Sequence, residues 1–395
     1  MHRFYSVVLT FIAVCCLAAA AAGAGSGVRV GAERSDVYGP LLAGKRVALF
    51  SNHTGVLPDG RHTLDALVAD GVDVRVLLAP EHGFRGTADA GEAVATGTDA
   101  ATGLPVVSLY DGRRKGVPPA AMDSVDVVVC DIQDVGVRYY TYYITMWELM
   151  GEAARRGIGF VVLDRPNPNG MYVDGPLLDP RHSSGVGRLP LPVVHGMTLG
   201  ELARMINGEG WLPGGRKVAL DVVPCLGYTH ATRYELPVAP SPNLRTMQAV
   251  YLYPSVCYFE GTTLSLGRGT DMPFEVYGHP SYSGSGFEFT PRSMPGAKRP
   301  PLMGRKCRGR DLRGIPCDSV IARGVDLSYI IDAYEHTDLR GDAFFTSFFE
   351  KLIGRSDIRA MIKDGRPASE IKSTWAADVD DFRRRRAPYL LYPDK

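Results

Sequence analysis

The chain has no excess of either charge. Lys and Arg number 44 and Asp and Glu 43 in 395 residues, so no net field draws it to nucleic acid or an anionic membrane. Cysteine is scarce, seven in all, and Cys15 and Cys16 fall in the apolar N-terminus. The other five, Cys130, Cys225, Cys257, Cys307 and Cys317, are odd in number and contain no C-x-x-C pair, which argues against a zinc site or a dense disulfide framework. Cys307 and Cys317 lie in a loop-like stretch and could pair in an oxidising compartment. Cys130 ends an apolar strand and reads as a small buried hydrophobe. Nucleotide fingerprints are missing: no G-x-G-x-x-G follows the first strand and no G-x-x-x-x-G-K-[ST] occurs. There is no G-x-S-x-G elbow and no H-E-x-x-H, and His53, His62 and His82 lack a metal-ligand spacing. The expectation is a protein with no cofactor and no metal.

No apolar run beyond the N-terminus is long enough to span a bilayer. The N-terminus itself opens Met1-His2-Arg3, runs apolar from Val7 to Ala22, and leaves through small residues to Gly27. A basic start, a short apolar stretch and a small-residue exit form a secretory signal peptide over residues 1–26. The alternative, a first transmembrane helix, needs about 20 apolar residues. Export to the cell envelope, secreted or periplasmic, follows as an expectation, with no stable membrane insertion once the signal is removed. A homodimer is left open.

Hydrophobic residues at 45% and charged residues at 22% suit a globular protein, and its length points to two domains. From Arg46 short apolar runs alternate with helical stretches: Arg46 to Ser51, Val72 to Leu78, Pro105 to Leu109, Val125 to Cys130 and Gly159 to Leu163 read as strands. Thr63 is placed as the cap of a helix ending at Gly71, and Tyr142 to Arg156 as a helix with Met146, Leu149, Met150 and Ala153 on one stripe. Thr198-Leu199-Gly200-Glu201 fits a capping box, which makes Glu201 structural. Near-continuous apolar strands predict an α/β fold, a Rossmann-like mainly parallel sheet over residues 27–232, with a second, smaller α/β domain over 233–395. In that second part a helix is expected from Leu244 to about Phe259, a long loop from Ser281 to Asp311, and two closing helices. The first carries Phe344, Phe345, Phe348, Phe349 and Leu352; the second carries Ile371, Trp375, Val379 and Phe382, with Arg383 to Arg386 as its solvated end.

Open parallel sheets bind ligands beyond the carboxyl ends of their strands. Here every strand exit is polar or aromatic: Asn52-His53-Thr54, Pro80-Glu81-His82-Gly83, Tyr110-Asp111, Asp131 through Tyr140, and Asp164-Arg165-Pro166-Asn167. Such groups suit a hydroxyl-rich ligand, and carboxylates are the catalytic equipment that remains. Glycoside hydrolysis uses two, one to protonate the leaving oxygen and one to assist on the other face. Glu81 is the leading acid, against a reading in which it organises its own loop. Glu92 is the second candidate, against a solvated loop residue. Asp131 and Asp134 come third; Asp131 could hold a sugar hydroxyl or be a buried aspartate bonded to Arg138 or Arg165. Tyr139, Tyr140, Tyr142 and Tyr143 offer a stacking wall, though some must be core.

The PEHGFRG, DIQDVGVRYYTY and DRPNPNG segments resemble the NamZ-type exo-β-N-acetylmuramidases, glycoside hydrolase family 171, long catalogued as a domain of unknown function. The resemblance continues through Val194-His195-Gly196-Met197-Thr198, Ser241-Pro242-Asn243, Glu260-Gly261-Thr262, Gly267-Arg268-Gly269-Thr270 and Pro273-Phe274-Glu275. It implies release of terminal N-acetylmuramic acid from the non-reducing ends of peptidoglycan fragments, in a cleft between two domains. It places the catalytic glutamate at Glu81, leaves Glu92 as the second carboxylate, and sets Asn243, Glu260 and Arg268 facing the cleft. With Asn52, His82, Asp131, Tyr139 and Arg165 these make up the expected substrate-binding set. A guanidinium matches a carboxylate geometrically, so Arg268 is expected to grip the lactyl group of muramic acid, against a structural ion pair. The competing reading is a non-catalytic muropeptide- or sugar-binding protein on the same scaffold.

Overall fold

A computed structural model describes residues 27–81, 83–85, 96–110 and 117–395. Seven strands, β1 (Arg46–Ser51), β2 (Asp73–Ala79), β3 (Gly97–Thr98), β4 (Pro105–Ser108), β5 (Val127–Asp131), β6 (Gly159–Leu163) and β7 (Leu220–Val223), form a sheet in the order β3-β4-β2-β1-β5-β6-β7. All pairs are parallel except β3 with β4. Leaving β3 aside, this is the doubly wound order, whose switch point falls between β1 and β5.

Alternate side chains of the strands explain the two layers. Val47, Leu49, Leu77, Val129 and Leu163 face α1 (Ser35–Leu42) and α2 (Thr63–Ala69), packing with Tyr38, Leu42, Leu64 and Leu67. Ala48, Phe50, Leu78, Val128 and Phe160 face the other way, toward α3 (Tyr142–Arg156) and α4 (Leu199–Gly208), through Tyr143, Met146, Leu149, Leu202 and Met205. Because both faces are covered, the strands read as continuous apolar runs rather than alternating ones. His62, not Thr63, caps α2: its Nδ1 accepts from the Leu64 amide at 3.1 Å, while Thr63 is already the first helical residue. The capping box of α4 is formed, with the Glu201 carboxylate accepting the Thr198 amide at 2.9 Å. Glu201 is buried and also accepts from His230 and from the amides of Leu391 and Tyr392, tying the C-terminal tail back onto the first half.

The second half comprises α5 (Met247–Val256), a three-stranded antiparallel sheet of β8 (Val276–His279), β9 (Phe287–Phe289) and β10 (Cys307–Asp311) in the order β8-β10-β9, then α6 (Cys317–Arg323), α7 (Ser328–Glu335), α8 (Phe348–Ile353), α9 (Ile358–Lys363), α10 (Ala368–Ser373) and α11 (Ala376–Arg386). Its apolar side chains join the cluster on the α3 face of the large sheet, so one core runs through both halves.

Several expectations are corrected here. The stretch 281–311 is not one loop but holds β9 and β10; β10 turns only Cys307 and Gly309 inward, too little apolar signal to read as a strand. Cys307 and Cys317 are both free: Cys307 packs with Val276 and Phe289, and the Cys317 thiol donates to the Gln248 amide oxygen at 2.8 Å. The helix expected from Leu244 begins at Met247, because the Thr246 hydroxyl accepts from the Ala249 amide and caps it there. Phe344 and Phe345 precede α8, and the last helix is split at Trp375 into α10 and α11. Arg383, Arg384 and Arg385 are exposed as expected, but Arg386 is buried and donates to the Gly196 carbonyl.

Candidate active site between the two halves

Glu81 stands two residues past the end of β2, where the Gly83 amide folds back to the Pro80 carbonyl at 3.0 Å. Its carboxylate accepts a hydrogen bond from the Thr141 hydroxyl at 3.1 Å. Thr141 occupies the N-cap position of α3 but caps no helix amide with its side chain. That hydroxyl is instead spent on Glu81.

The facing wall comes from the second half. Glu260 lies in a short 3-10 turn after α5, and its Oε1 accepts from Nε and Nη2 of Arg268 at 2.8 and 2.5 Å. The Arg268 guanidinium also sits over the Phe274 ring, 5.0 Å from its centroid. Two glycines set the arginine in place, with φ of +86° at Gly267 and +80° at Gly269. A Cβ would come within 2.4 Å of the Met272 carbonyl at Gly267 and within 2.4 Å of Pro300 at Gly269, so no larger residue fits either position. Burial opposes the charge on Arg268, and Glu260 raises its pKa again.

Glu81, Thr141, Glu260 and Arg268 line both a small inner pocket of about 120 Å³ and the cleft of about 1430 Å³ that opens above it. Tyr139, Tyr140 and Tyr142 floor the inner pocket. Their hydroxyls are committed: Tyr139 donates to the Pro254 carbonyl at 2.5 Å, Tyr140 to the Pro240 carbonyl at 2.6 Å, and Tyr142 accepts from the Asn52 amide at 2.8 Å. Burial pushes all three phenols above their ordinary range. They therefore present a neutral, ring-lined floor that suits a sugar's apolar face.

The expected site set divides. Glu81, Tyr139, Asn243, Glu260 and Arg268 meet at the inner pocket. His82 and Glu92 lie outside the described residues. Asn52 is buried beneath the floor, where its oxygen accepts from Thr54, so its role is to hold Tyr142. Asp131 and Arg165 are corrected: they form a fully buried pair at 2.5 and 2.9 Å and touch neither cavity. Arg138 is likewise spent, on the carbonyls of Pro176, Leu191, Leu352 and Ile353. Tyr143 belongs to the core, its hydroxyl accepting from the Arg188 amide at 3.3 Å. Arg268 is in the cleft, but its Nε–Nη2 edge is engaged by Glu260, leaving Nη1 without a hydrogen bond among the described residues. Asp134 is buried, accepts from the Gly136 amide at 2.7 Å, and has its carboxyl pushed up to about 7 by burial. His195 is buried and neutral, its pKa lowered to about 3 by burial and by Arg386.

Thr141 and Glu148 were not anticipated. With Ile144 and Thr145 they form the face of α3 that lines the cleft, at spacings of three, four and seven. The signal was present as the polar counterpart of the apolar stripe on the same helix. Burial raises the Glu148 carboxyl, and Arg188 opposes the shift.

Comparison with known proteins decides the family. Residues 47–248 match "Exo-beta-N-acetylmuramidase NamZ, N-terminal" and residues 251–392 match the corresponding C-terminal part. The chain belongs to the NamZ exo-β-N-acetylmuramidase family. It is 37% identical over 372 residues to the peptidoglycan β-N-acetylmuramidase NamZ of Bacillus subtilis (strain 168), covering 90% of this chain and 89% of that protein. Two crystal structures of DUF1343 family proteins from Bacteroides fragilis NCTC 9343 share its fold. One has a TM-score of 0.87 at 50% identity, covering 94% of this chain and 100% of the other; the second has 0.76 at 28%, covering 92% and 99%. In this NamZ-family chain the first matched part carries Glu81 and the second carries Glu260 and Arg268, so the two parts meet at the inner pocket. Among the described residues no group of three or more His, Cys, Asp or Glu is arranged to hold a metal, and no helix is long and apolar enough to cross a membrane.

Proposed function

We propose that this chain is an exo-acting glycoside hydrolase that releases N-acetylmuramic acid from the non-reducing ends of peptidoglycan fragments. The observation that carries the reading is the convergence of Glu81 with the Glu260–Arg268 pair on one small pocket floored by tyrosines. So small a pocket, about 120 Å³, suits the single sugar at a chain terminus rather than the middle of a glycan. Glu81 protonates the glycosidic oxygen as the bond breaks, and Thr141 holds its carboxyl in place. Nη1 of Arg268 meets the lactyl carboxylate, while Glu260 fixes the guanidinium. On the opposite face a water attacks the anomeric carbon and gives its proton to a cleft carboxylate, such as Glu148, or that carboxylate or the substrate's own 2-acetamido oxygen attacks first and a water, losing its proton to Glu81, then releases the sugar. The anomeric configuration of the first product tells inversion from retention, and a cleavable substrate lacking the acetamido group tests its participation. The protein works in the cell envelope after export, on saccharides and not on nucleic acid.

The test is release of muramic acid from a chromogenic N-acetylmuramide and from a disaccharide with muramic acid at its non-reducing end, with binding followed in parallel. Turnover of both supports the hydrolase. Binding without turnover would establish instead a non-catalytic muropeptide-binding protein.

A further inference from the structure

The cleft is more basic at its mouth than at its floor. Arg188, Lys298, Arg299 and Lys351 line the outer cleft, and none of them lines the inner pocket. They come from separate parts of the chain: Arg188 from the segment between β6 and α4, Lys298 and Arg299 from the loop between β9 and β10, and Lys351 from α8. At the floor Arg268 is paired with Glu260, and many surface arginines, such as Arg46, Arg233, Arg313 and Arg366, have a carboxylate partner. Arg188, Arg299 and Lys351 have no ion pair among the described residues. Glu148 acts on Arg188 only at longer range, and the neighbour of Lys351, Glu350, is taken by Arg359.

The loop bearing Arg299 is held in place. The Arg292 amide donates to the Gly269 carbonyl at 2.8 Å, the Asn243 side chain to the Gly296 carbonyl at 2.7 Å, and Pro300 packs on Gly269. Like charges brought together on fixed elements repel one another unless an anion sits between them. A volume of about 1430 Å³ also leaves ample room beyond a single ring.

We propose that Arg188, Arg299 and Lys351 form an outer subsite for carboxylates on the leaving-group side of the substrate. The inference rests on the hydrolase reading above. With a terminal muramic acid in the inner pocket, the next sugar, N-acetylglucosamine, is neutral. The one after it is again muramic acid, which brings a carboxylate as its free lactyl group or on an attached stem peptide. The subsite thus selects longer, anionic fragments over the minimal disaccharide.

The experiment compares kcat/KM for the muramyl disaccharide and for the tetrasaccharide carrying a second, internal muramic acid. The enzymes are wild type, Arg188→Ala, Arg299→Ala, Lys351→Ala and the triple variant. Each cation should contribute about 1.5–5-fold on the tetrasaccharide, through KM, and the three together, if additive, about 3–125-fold. The disaccharide should change less than about 2-fold. Wild-type preference for the tetrasaccharide should fall as salt rises from about 0.05 to about 0.5 M. Arg188→Lys, Arg299→Lys and Lys351→Arg, which keep the charge, should restore most of it. An internal stem peptide converts the lactyl acid to an amide, so a peptide-bearing tetrasaccharide separates the two carboxylate sources: it gains if peptide carboxylates are read and loses if the lactyl group is. Equal losses on disaccharide and tetrasaccharide, or no loss on either, overturn the subsite. Calorimetric binding of the tetrasaccharide gives a readout independent of turnover. Binding that weakens in the triple variant, in a protein that hydrolyses nothing, would sink the hydrolase and leave the subsite standing; binding unchanged in the triple variant overturns the subsite.

Discussion

Removing Asp131 tests whether its carboxylate serves the fold or the sugar. Asp131 is the last residue of β5, with its side chain 0% exposed and the Arg165 side chain 2% exposed. Arg165 gives it two charge-assisted hydrogen bonds, at 2.5 and 2.9 Å. Without Asp131 the guanidinium keeps only the Val56 carbonyl, at 3.1 Å. Burial opposes the charge on Arg165, and Asp131 is what outweighs it. Asp131→Ala therefore leaves an uncompensated buried cation, a change that costs about 3–5 kcal/mol. Against a total stability of about 5–15 kcal/mol this is a large fraction, visible in urea unfolding as a lower midpoint at unchanged slope. Removing both charges with apolar residues of similar volume, Asp131→Leu with Arg165→Met, should recover most of the loss, because neither charge is then stranded. Turnover per folded molecule should stay near wild type in each case. The reasoning fails if Asp131→Ala unfolds within about 1 kcal/mol of wild type while muramidase turnover collapses, since the carboxylate would then be working on substrate.

Glu81→Gln should lower turnover of a muramyl disaccharide by about 10²–10⁴-fold, and much less for the bond-breaking step with an activated phenolate leaving group, which scarcely needs a proton; near-normal turnover of the disaccharide would exclude Glu81 as the acid. Arg268→Ala should cost about 10–100-fold in kcat/KM on a muramide, the range of a charged hydrogen bond, and much less on an N-acetylglucosaminide, which lacks the lactyl carboxylate. Asp134, raised to about 7 by burial, holds its proton in the folded chain where the unfolded chain, at the ordinary carboxyl value of 3.8, has lost it. Its contribution is therefore complete below about pH 4 and lost as pH rises toward 7, so Asp134→Asn should gain stability relative to wild type across that window, on the order of a few kcal/mol, in unfolding curves taken from pH 4 to 8. Export predicts a mature N-terminus near residue 27, checked by N-terminal sequencing of envelope fractions; a cytoplasmic protein retaining Met1 would refute it.

What the sequence by itself determined is what depends on neighbours along the chain. The strands β1, β5 and β6 were legible because burial on both faces demands nearly unbroken apolar runs, as in Val127 to Cys130 of β5. The helix α3 was legible from its apolar period, and the start of α4 from a capping box that closes within four residues. The position of Glu81 beyond the end of β2 was legible because standing at a strand end is itself a local property. The roles of the other polar residues were decided by what lies across the fold. Asp131 ends one apolar strand and Glu81 follows another, yet Asp131 meets Arg165, 34 positions away, while Glu81 meets Thr141 at the edge of an open pocket. Arg386 reads as one more cation in a solvated run until the tail folds back and buries it against Gly196. β10 could not be read because its partners, β8 and β9, supply the apolar contacts that its own residues lack. A strand's burial can be written in its own residues, but a polar group's purpose depends on which charge, hydroxyl or solvent the tertiary fold sets against it.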